Sequence, residues 1–264
     1  AASEQDALYV TVSSADTPVA AVVRTITMDG LTSKGSDYAV PNNVSAKTLA
    51  INGLSEGDDV NLYVYPSQQA DVTVSWTDGT GTKNTNQQTL EANRVSVIDL
   101  GSVPKSATGL TISATEPVTA AAKVTNDGDG DQADFALVNA SVPMNVSAIA
   151  VPDHATAQVS VTNTSDDDRT ATLTSYNGDG DIVEQSDLTI RAGASTTIEL
   201  ADINDGDVAA VSLADPDQSM VWNIRVSQKD VSDAKLAGVS IIGVTDLKEA
   251  REQVWSNQNM TIVR

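Results

Sequence analysis

The sequence predicts an all-β protein made of tandem immunoglobulin-like antiparallel β-sandwich domains, with one short C-terminal helix. Three observations predict it: short runs in which apolar and polar residues alternate, turn-forming residues between the runs, and motifs that return after about a hundred residues.

The runs include Val60 to Val64, Val72 to Trp76, Val95 to Leu100, Leu110 to Ile112, Val159 to Val161, Leu188 to Ile190 and Val208 to Leu213. Each is rich in Val, Ile or Thr, side chains that suit a pleated, half-buried surface, and each is bounded by Asp, Gly, Asn or Pro. About seven such runs per hundred residues match the strand number of an immunoglobulin-like sandwich. Asp78-Gly79 and Asn177-Gly178 mark hairpin turns, because Asp-Gly and Asn-Gly tolerate the positive φ that two-residue turns demand.

The repeat is visible in the motifs. Val97-Ile98-Asp99-Leu100 returns as Thr197-Ile198-Glu199-Leu200, an offset of 200 − 100 = 100, whereas Val72-Thr73-Val74-Ser75 returns as Ala171-Thr172-Leu173-Thr174, an offset of 171 − 72 = 99. Side chains alternate with period two in a strand, so the 99 offset puts Val72 and Val74, and Ala171 and Leu173, on the same core-facing side. A second set occurs three times: a strand, a Pro-Val or Asp-Pro step, a loop, and a segment ending in Ala. Its copies run from Val10 to Asp37-Tyr38-Ala39, from Leu110 to Asp134-Phe135-Ala136, and from Val211 to Lys235-Leu236-Ala237.

The chain therefore divides into a partial β unit at 1–45, the second half of a repeat whose first half is missing, a sandwich at 46–150, a sandwich at 151–244, and a tail at 245–264. Pro143, Pro152 and Asp153 place the junction of the two sandwiches near 146–156. The three strands of 1–45 would expose an apolar face and unpaired edges alone, so they are expected to pack against the C-terminal tail or to add to the first sandwich. In the tail, Asp246 and Glu249 form a capping-box pattern ahead of a helix at 247–255, and Met260 to Val263 alternates like a last strand.

The Leu188-Thr189-Ile190-Arg191-Ala192-Gly193 segment, the Ile198-Glu199-Leu200 strand, the Pro-Val strands and the Asp-Tyr-Ala and Asp-Phe-Ala segments together resemble a family of uncharacterised secreted or envelope-anchored proteins of actinobacteria. The resemblance covers most of residues 8–243. It implies export and tandem sandwich domains; it brings no established activity and no functional residues.

Composition narrows the partners. With 15 Lys and Arg against 36 Asp and Glu, the 264 residues have a net charge of −21 and a pI near 4.1. Such a surface repels phosphate, which argues against nucleic acid and against anionic lipid. No apolar run approaches the roughly 18 residues of a membrane span, so no membrane insertion is expected. There is no Cys, hence no disulfide and no thiolate chemistry. The chain begins Ala1-Ala2-Ser3 rather than with Met, which permits removal of a signal peptide.

Few residues suggest chemistry. His154, the one histidine, lies in the Val151-Pro152-Asp153-His154-Ala155 linker, and no Gly-x-Ser-x-Gly elbow accompanies it. The sharpest signal is Asn126-Asp127-Gly128-Asp129-Gly130-Asp131-Gln132-Ala133-Asp134. Carboxylates at alternate positions between glycines can converge on a hard cation, which makes Asp127, Asp129, Asp131 and Asp134 candidate calcium ligands. The twelfth position, where an EF-hand has a bidentate Glu, is Val138, and a solvated acidic loop is the alternative. Asp166-Asp167-Asp168 reads as a solvated turn, and Asp202, Asp205, Asp207, Asp215 and Asp217 as an acidic end of the second sandwich. Trp76, Tyr63, Tyr65, Tyr176, Trp222 and Phe135 fall in or beside strands, where packing is their expected role.

The expected function is that of an exported, non-enzymatic structural or interaction module outside the cell or on its envelope, needing no cofactor, with a protein or a cell-surface glycan as partner. A calcium-assisted glycan- or peptide-binding module is the alternative, and an exposed Phe135 or Trp76 beside the acidic loop would favour it. A hydrolase using two carboxylates is the third reading, and it requires two acids facing each other in a cleft. Adaptation to high salt is a further source of the acidity.

Overall fold

The computed structural model describes residues 9–11, 22–29, 31–39, 42, 44–77, 83–103, 107–126, 134–151, 155–200, 208–228 and 239–246. Among them are eighteen β-strands and no α-helix. The strands are β1 Val23–Asp29, β2 Thr32–Ala39, β3 Ala46–Asn52, β4 Asp59–Pro66, β5 Ala70–Thr77, β6 Lys83–Leu90, β7 Ser96–Ser102, β8 Gly109–Asn126 and β9 Asp134–Asn139. They continue with β10 Val146–Ala150, β11 Ala155–Asn163, β12 Arg169–Tyr176, β13 Ile182–Ile190, β14 Ser195–Glu199, β15 Ala210–Ala214, β16 Met220–Gln228, β17 Val239–Gly243 and β18 Thr245–Asp246. The described pairings are antiparallel, as short Val- and Thr-rich runs joined by turns dictate. The segment expected to be helical at 247–255 and the strand expected at Met260 to Val263 lie outside the described residues.

β8 organises the first sandwich. Its first part pairs with β3 and β5, Leu110 opposite Ile51 and Ile112 opposite Val74; its second part pairs with β4 and β9, Ala122 opposite Leu62 and Val138. The partners change around Pro117, a residue with no N–H to give to a ladder. One long strand thus serves two layers, β6-β5-β8-β3 and β7-β4-β8-β9, and Leu49, Ile51, Leu62, Val64, Val72, Val74, Ile98 and Ile112 close the core between them.

In the second sandwich separate strands, β15 and β16, replace the two parts of β8. The layers are β13-β12-β15-β10, extended by β18, and β14-β11-β16-β17, so the strand order of the first sandwich recurs. Asp215 makes the corner between β15 and β16: its buried carboxylate accepts the backbone N–H groups of Ser219 and Met220, each at 2.6 Å. Val159, Val161, Ala171, Leu173, Leu213, Trp222 and Ile224 fill this core, and the Trp222 indole N–H donates to Ser147 Oγ at 2.6 Å. Val72, Val74, Ala171 and Leu173 are all buried on the core side, as the 99-residue offset requires.

Val142 packs on the first core and Ile149 on the second. β1 and β2 form a separate two-stranded ribbon. It rests on the first sandwich: β2 lies against β9, and the Leu137 N–H donates to Asp37 Oδ2 at 2.7 Å. Outside the ribbon, Tyr9 stacks on Tyr65 of β4 with ring centroids 3.8 Å apart.

Candidate functional site

The most developed polar site of the described residues lies where the two sandwiches meet. β11 and β16 each bury both faces. Val159, Val161, Trp222 and Ile224 point into the second core, while Ser160, Thr162, Val221, Asn223 and Arg225 alternate onto the other face and are buried against the first sandwich. A strand covered on both sides ordinarily reads as a continuous apolar run. Here one covered face is polar, so its groups need partners.

Most have them. Asn52, at the end of β3, donates from Nδ2 to the Val221 carbonyl at 2.9 Å and accepts from Thr162 Oγ1, which also bonds Ser195 Oγ at 2.7 Å. Thr77 Oγ1 donates to the Gly193 carbonyl. Gly109 is pressed against Thr162 and Asn52, leaving no room there for a Cβ. Arg225 crosses the junction to Asp58, with 2.5 Å from Nη1 to Oδ2 and 3.1 Å from Nη2 to Oδ1, and Nη1 also donates to the Gly53 carbonyl at 2.8 Å. Asp58 is fixed from its own side, since Oδ2 accepts the Ser55 N–H at 2.8 Å. Both side chains of the pair are buried. Beside them Ile241 of β17 enters the first core although its strand pairs with β16, and it packs on Gly53. Asn223 is the exception, because neither Nδ2 nor Oδ1 of this buried amide has a hydrogen-bond partner.

The residues singled out for chemistry are not gathered here. Asp127, Asp129 and Asp131 lie outside the described residues, as do His154, Asp202, Asp205 and Asp207; Asp134 opens β9 opposite Asn126. Among the described residues no group of three or more His, Cys, Asp or Glu could hold a metal ion. Asp168 accepts the Ala192 N–H at 3.0 Å, and Asp167 and Asp217 both pair with Arg169, so these acids fasten turns to one another. Asp215 is a buried corner residue rather than part of an acidic surface. Phe135 is buried, with Lys123 Nζ 4.6 Å from its ring centroid, and Trp76 is half-buried with its indole N–H unpartnered.

Two recesses lie among the described residues. One, lined by Leu54, Val60, Trp76, Leu100, Val103 and Leu110, has about 20 Å³ of accessible volume, space for one or two waters rather than a ligand. The other is a shallow groove of about 260 Å³ on the β5–β6 hairpin, floored by Asp71, Thr73, Gln87 and Thr89. Its side chains bond each other, Gln87 to Thr73 at 3.0 Å and Thr89 to Asp71 at 2.6 Å. The matching hairpin β12–β13 carries the same kind of ladder, Thr170 with Thr189 and Thr172 with Asp187. Both ladders lie next to an outermost strand of a layer, where polar side chains discourage strand addition.

No helix among the described residues is long and apolar enough to cross a membrane. No curated protein matches the chain. Of solved structures, a protein from Parabacteroides distasonis ATCC 8503 that is inferred to be secreted is similar at 12% identity and a TM-score of 0.19, over 85% of this chain and 87% of that one. Residues 1–239 match DUF5719, a family of unknown function, and the chain belongs to that family.

Proposed function

We propose that the chain is a non-enzymatic structural or interaction module of the cell exterior, built from tandem immunoglobulin-like units. The observation that supports this most is the junction. The polar face of β11 and β16 is spent on holding the first sandwich. The common strand order of the sandwiches supports the tandem reading. Of the two aromatics that would favour the glycan-binding alternative, Phe135 is buried and Trp76 half-buried, and the acidic loop of Asp127, Asp129, Asp131 and Asp134 is proposed to be solvated rather than calcium-bound.

The test is made on intact producing cells. Added protease and an antibody to the chain are expected to reach it from outside, and a chain protected until the cells are lysed overturns the proposal. Calcium titrated by calorimetry is expected to give no heat; heat that disappears in Asp129→Ala would restore the calcium reading.

A further inference from the structure

Residues 239–246 meet the rest of the chain in four places. β17 runs along β16, from Val239 opposite Ser227 to Gly243 opposite Asn223. Ile241 is buried and belongs to the first core, whereas Val244 packs on the second. β18 then crosses to the other layer of the second sandwich, where Thr245 faces Ala148 and Asp246 faces Ser147 of β10. β10 follows the connection between the sandwiches, after Val142 on the first core. One short segment therefore touches both cores, both layers of the second sandwich and the strand that leads into it.

Ile241 stands at the ion pair. In the sheet register Arg225 lies between Gln158 of β11 and Ile241 of β17, and Gln158 donates to Glu199 on its far side. Across the junction, Ile241 packs on Gly53, with Cγ2 2.9 Å from where a Cβ would stand. The Gly53 carbonyl is also the third acceptor of Arg225, beside the two oxygens of Asp58. The guanidinium and the isoleucine side chain thus converge on the same turn, 53–58, from neighbouring strands. An ion pair is strong and salt-resistant only while water is kept from it; the same pair in solvent is worth little and is screened.

We propose that residues 239–246 are a clasp for the junction: Ile241, seated on Gly53, keeps the Asp58–Arg225 pair dry, and the dry pair fixes the angle between the sandwiches. With the clasp in place the two sandwiches move as one body. With Ile241 cut back, water reaches the guanidinium, the pair falls to the strength of a surface contact, and the junction becomes a hinge. The clasp is a property of the fold and holds wherever the chain is located.

The chain has no Cys, so spin labels can be placed on Glu91→Cys in the first sandwich and Asp179→Cys in the second, both at exposed turn positions. The readout is the distribution of distances between the labels in the full chain. One narrow distance is expected, unchanged from low salt to 1 M. Ile241→Ala should broaden it, and more so as salt rises; Ile241→Val, which keeps an apolar cover, should leave it narrow. A double-mutant cycle of Asp58→Ala and Arg225→Ala reads the pair itself. Its coupling should be at least about tenfold in the folding constant of the native chain and below about fivefold in the Ile241→Ala background. Gly53→Ala reaches the same contact from the other side, since its Cβ displaces Ile241, and should also broaden the distance. Gly57→Ala shares the positive φ without a neighbour at its Cβ and should not. If Ile241→Ala does not fold, the comparison of the two glycine variants decides. A distance that stays narrow in Gly53→Ala, or a coupling undiminished in Ile241→Ala, overturns the proposal, because the pair would then be dry and the angle fixed without the clasp.

Discussion

Arg225 lays two nitrogens of its guanidinium on the two carboxylate oxygens of Asp58, at 2.5 and 3.1 Å, with 167 residues of sequence between them. The fork-on-fork geometry is the strong form of an ion pair. Its burial makes it costly to break, since either partner left alone is a charge without solvent. Arg225→Ala and Asp58→Ala should each destabilise the chain by about 3–5 kcal/mol, while Arg225→Met combined with Asp58→Leu should recover much of that loss. Denaturant unfolding of the three variants checks this. A double variant no more stable than the singles would show that the pair does more than satisfy itself.

Gly53 stands beneath this pair for two separable reasons. Its φ is +81°, and a Cβ would come within 2.9 Å of Ile241 Cγ2. Gly57 shares the backbone condition, at +85°, but has nothing within 4 Å of its Cβ position. Gly57→Ala should therefore cost about 1 kcal/mol from the left-handed conformation alone, and Gly53→Ala about 1–3 kcal/mol more from displacement of Ile241. Adding Ile241→Val to Gly53→Ala should return part of the second cost. Thermal unfolding of the two alanine variants, compared directly, separates strain from crowding.

The core faces were legible in the sequence because they depend on period two. Val72 and Val74 announce their side of β5, and the 99-residue offset transfers that side to Ala171 and Leu173. Turn chemistry was legible only in outline. Asn177-Gly178 suggests a two-residue turn, yet the hairpin closes over five residues, with Asn177 Oδ1 accepting the N–H groups of Asp179 and Asp181 and with Gly180, not Gly178, at positive φ. The junction was not legible, because Asp58 and Arg225 belong to no common local pattern. Nor does the strand itself announce it: Trp222, Ile224 and Val226 alternate with Asn223 and Arg225, the pattern of a strand with one solvated face, so the second covered face of β16 is set by the packing of the two sandwiches rather than by a local signal.

Asn223 is the weak point of that covered face. Both polar atoms of its amide are buried without a hydrogen bond, in line with Ser160 on β11 and Gly243 on β17. An unpaired buried amide costs about 1–3 kcal/mol relative to an apolar side chain of similar volume. Asn223→Leu should accordingly raise stability by about 1 kcal/mol, whereas Asn223→Ala, which also leaves a cavity, should gain little or lose. Unfolding midpoints of the two variants decide it, and a loss in Asn223→Leu would indicate a water that the amide holds in the junction.

The acidity of the chain acts in the opposite sense to its buried pair. A net charge of −21 on 264 residues makes the folded surface repel itself, and added salt screens that repulsion within about 8 Å at 0.15 M and about 3 Å at 1 M. Folding concentrates the like charges, so screening favours the folded state, and the unfolding midpoint should rise with sodium chloride. A gain of about 1 kcal/mol corresponds to roughly 2–4 °C for a chain near this size. The Asp58–Arg225 pair is out of reach of the salt because both side chains are buried. The penalty of Arg225→Ala should therefore stay nearly constant across the same series, while Arg94→Ala, which removes an exposed partner of Glu91, should cost little at any salt. Thermal unfolding of the native chain and both variants from low to high salt makes the comparison. If the Arg225→Ala penalty shrinks with salt as fast as the native midpoint rises, the junction is open to solvent and the pair is a surface contact.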